Sequence, residues 1–136
     1  MTDFDELIAE RLTALGPAWR IRHAVPSPEL DIRHLVIGPG GVFAVTTEYH
    51  PGKARFQSRR AARLLTVAAG CPVEVTTLTV LAGTAREIGD YPSDVVVCNA
   101  QELPGLLKNR PPVLSPVTIG AIHGAARRRE TWRPAA

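Results

Sequence analysis

Apolar residues recur along the chain with two different periods, and each change of period marks a new predicted element. Residues 3 to 15 carry apolar side chains at helical spacing, namely Phe4, Leu7, Ile8, Leu12 and Leu15. This spacing predicts an amphipathic helix, which a Gly-Pro pair ends. Residues 18 to 25 alternate loosely and predict a strand. Residues 30 to 37 and 42 to 47 are apolar on both faces, so they predict central strands joined in a hairpin.

The second half of the chain continues with helical and strand patterns in turn. A helical pattern covers about residues 57 to 70, with Ser58 as a candidate cap. Residues 73 to 81 and 94 to 98 are rich in β-branched side chains and predict buried strands. Residues 83 to 93 between them predict a loop.

Two further helices are predicted near the carboxyl terminus. Asn99 and Glu102 form the pattern of a capping box before a helix that runs to about Lys108. Ser115 and Pro116 begin the last helix, which ends in arginines that suit the negative end of a helix dipole. The order of elements predicts an α/β sandwich, with helices flanking a mixed β-sheet.

Length and composition narrow the class of protein. A chain of 136 residues with 45% apolar and 21% charged side chains is expected to form one globular domain over residues 1–136, with a core over 3–130 and a frayed tail over 131–136. No apolar run approaches the roughly 18 residues of a membrane span, so no membrane partner is expected. The acidic, amphipathic start does not resemble a secretory signal, which predicts a cytoplasmic protein. Cys71 and Cys98 are expected to be buried, reduced thiols.

Charge is distributed unevenly along the chain. No Asp or Glu occurs between Tyr49 and Val73, and the same segment contains five cations: Lys53, Arg55, Arg59, Arg60 and Arg63. Six of the thirteen acids precede residue 32. This asymmetry predicts a cationic patch that binds phosphates. The simpler alternative, which stays open, is that these cations form a solvated helix face.

The hairpin LVIGPGGVFAVTTEYHPGK resembles the nuclease-related domain family, known as NERD. Similarity continues through SRRAARLLTVAAGCPVEVTTLTVL, SDVVVC and LSPVTIGAIHGAARR, so it covers nearly the whole chain. The resemblance implies a restriction-endonuclease-like fold and a role in DNA processing. Many family members have an extra strand and loop where this chain has residues 53 to 59, which implies an exposed sheet edge and a homodimer formed through it.

The resemblance also implies where catalytic residues would lie. Such nucleases use carboxylates of adjoining strands to hold Mg²⁺, with a lysine beside the attacking water. This chain has Arg33 at the family's Asp position, Thr46 at its Glu or Asn position and Glu48 at its Lys position. We therefore expect no catalytic residue, no cofactor and no bound metal, as in a pseudoenzyme.

Hairpin geometry links these altered positions. A turn at the centre of the Gly-Pro-Gly-Gly segment places Arg33 opposite Thr46 and Asp31 opposite Glu48 on one side of the sheet. Arg33 is then within diagonal reach of Glu48, and we predict an Arg33–Glu48 ion pair that replaces the metal. The alternative is a displaced metal pair, in which Asp31 and Glu48 bind Mg²⁺.

Other side chains give weaker signals. Glu6 on the first helix is a candidate helical acid, although an exposed helix charge is the simpler interpretation. His34 is expected to be a hydrogen-bonded core histidine, and His23 is expected to be structural. Trp19 and Trp132 are expected to pack in the core.

Two functions follow as predictions. The first is a non-catalytic module that binds DNA through its backbone phosphates, using the five cations between Lys53 and Arg63, or that binds an acidic protein. The second is a divalent-metal-dependent DNA nuclease with a rearranged active site.

Overall fold

The structure is a computed structural model that describes residues 3–47, 51–81 and 95–133. The first nine elements follow in the predicted order: α1 (Asp3–Thr13), β1 (Arg20–His23), β2 (His34–Gly38), β3 (Gly41–Thr46), α2 (Pro51–Ala69), β4 (Val75–Leu81), β5 (Val95–Asn99), α3 (Leu103–Lys108) and α4 (Pro116–Arg127). A further short helix that was not predicted, α5 (Arg129–Trp132), extends into the expected tail. Within the described ranges, no helix combines the length and the apolar character needed to cross a bilayer.

The five strands form one sheet in the order β1-β2-β3-β4-β5. The β1–β2 and β2–β3 pairs are antiparallel, whereas β3–β4 and β4–β5 are parallel. This confirms the predicted α/β class with a mixed sheet flanked by helices. Gly38 lies opposite Gly41 and His34 opposite Val45, so the predicted register of the hairpin is also confirmed.

The sheet has an apolar cluster on each face, which explains why β2 is buried along its whole length. Leu35 and Ile37 pack in the cluster that contains α2 and α4 residues, whereas Val36 packs in the cluster that contains α1 and α3 residues. Successive side chains of a strand point to opposite faces, so two covered faces require a continuously apolar strand.

Helix α2 begins at Pro51, six residues earlier than the pattern predicts. Proline fits the first turn of a helix, where its missing N–H is not needed. Ser58 is therefore not a cap: it lies inside α2, and its hydroxyl is 2.5 Å from that of Thr77 on β4. Residues 53 to 59 are helical, so this segment contributes no sheet edge of its own, and the homodimer stays a prediction. The edge strands of the described sheet are β1 and β5.

Both predicted capping motifs are present. The backbone N–H of Asn99 donates to Glu102 Oε1 at 3.0 Å, and the N–H of Glu102 donates to Asn99 Oδ1 at 2.8 Å. Ser115 Oγ accepts from the backbone N–H of Thr118 at the start of α4. These local contacts involve residues three apart in the chain, which is why the sequence alone predicts them.

The Gly-Pro-Gly-Gly turn has steric reasons for its glycines. A Cβ on Gly38 would lie 2.1 Å from Trp19 Cε3, because the indole packs directly against this backbone. A Cβ on Gly40 would lie 3.1 Å from Arg110 Cβ. Gly41 has a φ of +129°, which side chains rarely allow. The turn motif therefore reflects packing and backbone conformation, independently of any catalytic role.

We expect Gly38→Ala to lower the free energy of unfolding by about 2 kcal/mol, because its methyl group forces Trp19 out of its position. Urea denaturation at neutral pH measures the effect. The matched control is Gly120→Ala on exposed α4 surface, where a Cβ meets no atom within 4 Å. That variant should gain about 0.5–1 kcal/mol, because alanine favours the helix. Equal stability of Gly38→Ala and wild type would contradict the packing argument.

Candidate functional site

A polar site lies where β3 ends and α2 begins. Thr46, at the carboxyl end of β3, is paired with Thr79 of the parallel strand β4. Ligands of open α/β sheets often bind beside the carboxyl ends of parallel strands. Two adjoining cavities open here, an inner chamber of about 50 Å³ and a larger site cavity of about 230 Å³. Asp31 and Thr46 line both of them.

Helix α1 contributes an acid to the site cavity. Asp5 lines the cavity, and its Oδ2 accepts from Arg33 Nη1 at 3.0 Å. The predicted helical acid, Glu6, is instead exposed. The periodicity contains the signal for this correction: Asp5 precedes the buried Ile8 and Leu12 by three and seven residues, which places it on the buried face of the helix.

Asp31 has a different cationic neighbour. Lys53 Nζ of α2 lies 3.7 Å from Asp31 Oδ2. The side chains of Asp31 and Lys53 are 64% and 54% exposed, so this pair contributes little to stability. Together with the Arg33–Asp5 pair, it balances the charge of the site, because Asp5 and Asp31 each have a cation beside them. Glu48, the predicted partner of Arg33, lies outside the described residues, and that ion pair stays a prediction.

The inner chamber is lined by hydroxyl and amide groups under the first half of α2. Gln57, Ser58 and Thr77 are all buried there. Ser58 and Thr77 satisfy one another through their hydroxyls. At about 50 Å³, the chamber has room for only a few water-sized groups. The buried polar side chains also explain why the first part of α2 lacks the apolar periodicity of a core helix.

His34 lines the site cavity from β2 and hydrogen-bonds to a second histidine. His34 is 6% exposed, and its Nδ1 lies 2.9 Å from Nδ1 of His23 across the β1–β2 pair. This confirms the predicted hydrogen-bonded core histidine. No described group hydrogen-bonds to the buried Nε2 of His34. No local pattern identifies His23 as the partner of His34, because only the strand register brings the two rings together.

The pKa of His34 is lowered from 6.5 to about 4, mainly by burial and next by the neighbouring His23. Asp5 acts in the opposite direction, since a carboxylate favours the charged imidazole, and Arg33 again lowers the pKa. Moving an imidazolium out of water is unfavourable, and a second histidine adds like charge when it is protonated. His34 is therefore neutral at pH 7.

The described residues do not fit a magnesium site. Across residues 3–47, 51–81 and 95–133, no three His, Cys, Asp or Glu side chains are arranged to hold a metal ion. Arg33 and Lys53 lie beside the carboxylates of Asp5 and Asp31, where each competes with a divalent cation. The alternative metal pair of Asp31 and Glu48 includes a residue outside these ranges and stays a prediction.

All five cations that the sequence analysis singled out lie on α2, but the structure separates them into two groups. Lys53 and Arg60 are near acids, the latter with Nη2 3.6 Å from Glu29 Oε1. The other group consists of Arg55, Arg59 and Arg63, whose side chains are exposed, as is the ring of Phe56. We name the surface formed by these four residues the α2 outer face.

The arginines of the α2 outer face form a row. Arg55, Arg59 and Arg63 are spaced four residues apart, which places them on one side of the helix at intervals of about 6 Å. Helix α2 contains no acid to neutralise this row. Within the described part of the chain, neither Arg59 nor Arg63 forms an ion pair.

Comparisons with protein-family models, with curated proteins and with solved structures find no match to this chain. The resemblance to nuclease-related domains therefore depends on the quoted motifs alone.

Proposed function

We propose that this protein is a non-catalytic, nuclease-related module with a restriction-endonuclease-like fold, and that it binds nucleic-acid phosphates through the α2 outer face. The observation that carries the proposal is the row formed by Arg55, Arg59 and Arg63 on an acid-free helix of 19 residues. A row of about 12 Å spans three to four phosphates of one strand of B-form DNA, which carries a charge every 3.4 Å or so.

The charge arrangement in the site supports a non-catalytic role. A hydrolytic metal site needs carboxylates that are available to the ion and a nucleophile beside it. Here Arg33 has the position of a family carboxylate and pairs with Asp5, while Lys53 neighbours Asp31. These cations supply the positive charge that a magnesium ion would supply in an active nuclease, but they do not activate water.

We expect the double variant Arg59→Glu/Arg63→Glu to weaken binding to DNA at least tenfold at 50 mM KCl. The reason is the loss of two phosphate contacts and the repulsion that two new carboxylates introduce. Fluorescence anisotropy with labelled 20-nucleotide single strands and 20-base-pair duplexes measures it. With the duplex, the slope of log K against log[KCl] should be steeper for the wild type than for the variant by about 2. Each of the two lost phosphate contacts contributes roughly 0.9 to that slope.

The matched control is Lys108→Glu/Arg129→Glu, which makes the same change in net charge at exposed positions of α3 and α5. It should bind within about twofold of the wild type. An equal loss in both double variants would mean that net charge alone attracts the DNA. A wild-type protein that binds neither form of DNA at 50 mM KCl would reject the nucleic-acid function in favour of an acidic protein partner.

One observation favours the second candidate function, a metal-dependent DNA nuclease: Asp5 and Asp31 line the same cavity. A plasmid nicking assay in magnesium or manganese tests it. Activity that Asp31→Asn and Glu48→Ala each abolish would establish the nuclease. Activity that survives both substitutions would indicate a contaminating enzyme.

A further inference from the structure

The α2 outer face contains an exposed aromatic ring among its cations. Phe56 is 52% exposed and lies between Arg55 and Arg59 in the helix sequence. Other large apolar side chains are also exposed on this protein, including Val67 and Val113, so exposure alone identifies no site. Phe56 differs from them because it combines a flat π-face with a row of guanidinium groups.

The surroundings of Phe56 leave room for a ligand. Side chains of a helix lean toward its amino terminus, so the ring of Phe56 is directed over the preceding turn. The residue one turn earlier is Gly52, which has no side chain and where even an added Cβ would meet no atom within 4 Å. The ring therefore has an open side next to Gly52 and cations on its other side.

We propose that the α2 outer face binds single-stranded nucleic acid in preference to duplex, with Phe56 stacked on a base and Arg59 and Arg63 on the adjoining phosphates. This inference depends on the proposed phosphate-binding function and names its ligand class. In a duplex the base faces are covered by neighbouring bases, whereas a single strand presents them. Aromatic rings beside a cationic track are the usual means of holding single strands without sequence preference.

The chemistry explains why a ring and not another cation occupies position 56. Both single strands and duplexes present phosphates, and the duplex has the higher charge density, so arginines alone give no preference for single strands. Stacking on a base is available only where the base is unpaired or displaced. Phe56 therefore determines which form is preferred, and the arginines determine most of the salt-dependent affinity.

The test measures the binding of Phe56→Ala, Phe56→Leu and Phe56→Trp to labelled dT20, to U20 and to a 20-base-pair duplex, by anisotropy at 50 mM KCl. Phe56→Ala should bind the single strands about tenfold or more weakly than wild type, because a lost base stack has an effect of this order. Phe56→Leu should be similarly weak, since it retains apolar surface without a π-face. Phe56→Trp should keep the affinity, and its fluorescence should be quenched by dT20.

Duplex binding provides the internal control, and it should change less than twofold in all three variants. The exposed position of Phe56 predicts unchanged circular dichroism and thermal unfolding. Tighter binding of dT20 or of U20 identifies which of the two single strands is preferred, and either result supports the proposal. Equal losses on single strands and duplex would overturn it. Undiminished binding of dT20 by Phe56→Ala, with a loss in Arg59→Glu/Arg63→Glu, would overturn it while the phosphate-binding function stands.

Discussion

Trp132→Ala is expected to lower the free energy of unfolding by about 3–5 kcal/mol, the range observed when a large aromatic side chain is removed from a core. Trp132 is 1% exposed and belongs to the apolar cluster that includes Leu65 of α2 and Ile122 of α4. Its indole N–H donates to the carbonyl oxygen of Ala126 at 2.8 Å. Urea denaturation followed by far-ultraviolet circular dichroism measures the loss, with a two-state fit appropriate to a domain of this size.

Two controls separate packing from the other contributions at this position. Trp132→Phe keeps most of the apolar volume but loses the hydrogen bond to Ala126, so it should cost less than the alanine variant. Arg129→Ala lies on the exposed surface of the same short helix and should change stability by less than about 0.5 kcal/mol. A Trp132→Ala protein within 1 kcal/mol of wild type would mean that the chain frays from residue 131, as the sequence analysis expected.

The two expectations about Trp132 illustrate where sequence reasoning is strong and where it is weak. The chemical type of the residue correctly predicted a packing role. Its position near the chain end suggested a tail, and this was misleading because Thr131 and Trp132 are both buried. The local sequence pattern does not predict that α5 packs against α2 and α4, because this packing depends on contacts between residues far apart in the sequence.

The hairpin was predictable down to its register because its determinants are local. The positive φ of Gly41 and the apolar runs on either side leave few alternative pairings. The steric reason for Gly38 was not predictable in the same way. Trp19 precedes it by 19 residues, and only the packed structure shows the indole against that backbone.

Several residues that the sequence singled out border one cavity, and the structure adds pairings that the sequence did not predict. The altered positions Arg33 and Thr46 do border one cavity with Asp31. The cations, however, pair across elements: Arg33 contacts Asp5 of α1, and Lys53 of α2 lies beside Asp31. The register of a hairpin predicts only which residues of its two strands are neighbours. It does not predict a partner on a helix that packs against the sheet.

This pairing shows how charge is balanced at the candidate site. The predicted Arg33–Glu48 ion pair would balance charge within the hairpin, and it stays a prediction because Glu48 lies outside the described residues. The described contacts add charge balance from α1 and α2, where Asp5 lies beside Arg33 and Lys53 lies beside Asp31. The substitution Arg33→Asp would therefore remove the cation beside Asp5 and place a second negative charge there.

The largest pH effect is expected at His34. Its pKa in the folded protein is lowered to about 4 from an ordinary value of 6.5, because the ring is buried next to His23. The unfolded chain therefore binds a proton at a higher pH than the folded chain does. The stability associated with neutral His34 is fully present above pH 6.5 and is lost as the pH falls toward 4.

We expect the free energy of unfolding to fall by about 2 kcal/mol between pH 7 and pH 5 through this group, and by about 3 kcal/mol near pH 4. Urea denaturation at half-unit steps measures the profile. His34→Gln should flatten most of it, because the titrating group is gone. His23→Gln should retain the larger part, since burial is the main cause of the lowered pKa and His23 is the second.

A third variant separates His34 from the other histidine of the described ranges whose pKa is lowered. Burial and the nearby Arg127 lower the pKa of His123 on α4, so His123→Gln controls for a contribution of the same sign. This variant should retain most of the decrease in the free energy of unfolding between pH 7 and pH 4, because His123 is less buried than His34. Identical profiles for wild type and His34→Gln would show that the folded protein accommodates a charged imidazole at this position, with Asp5 close enough to offset the burial. The site cavity would then contain a protonated His34 at mildly acidic pH, and its charge would add to that of Arg33.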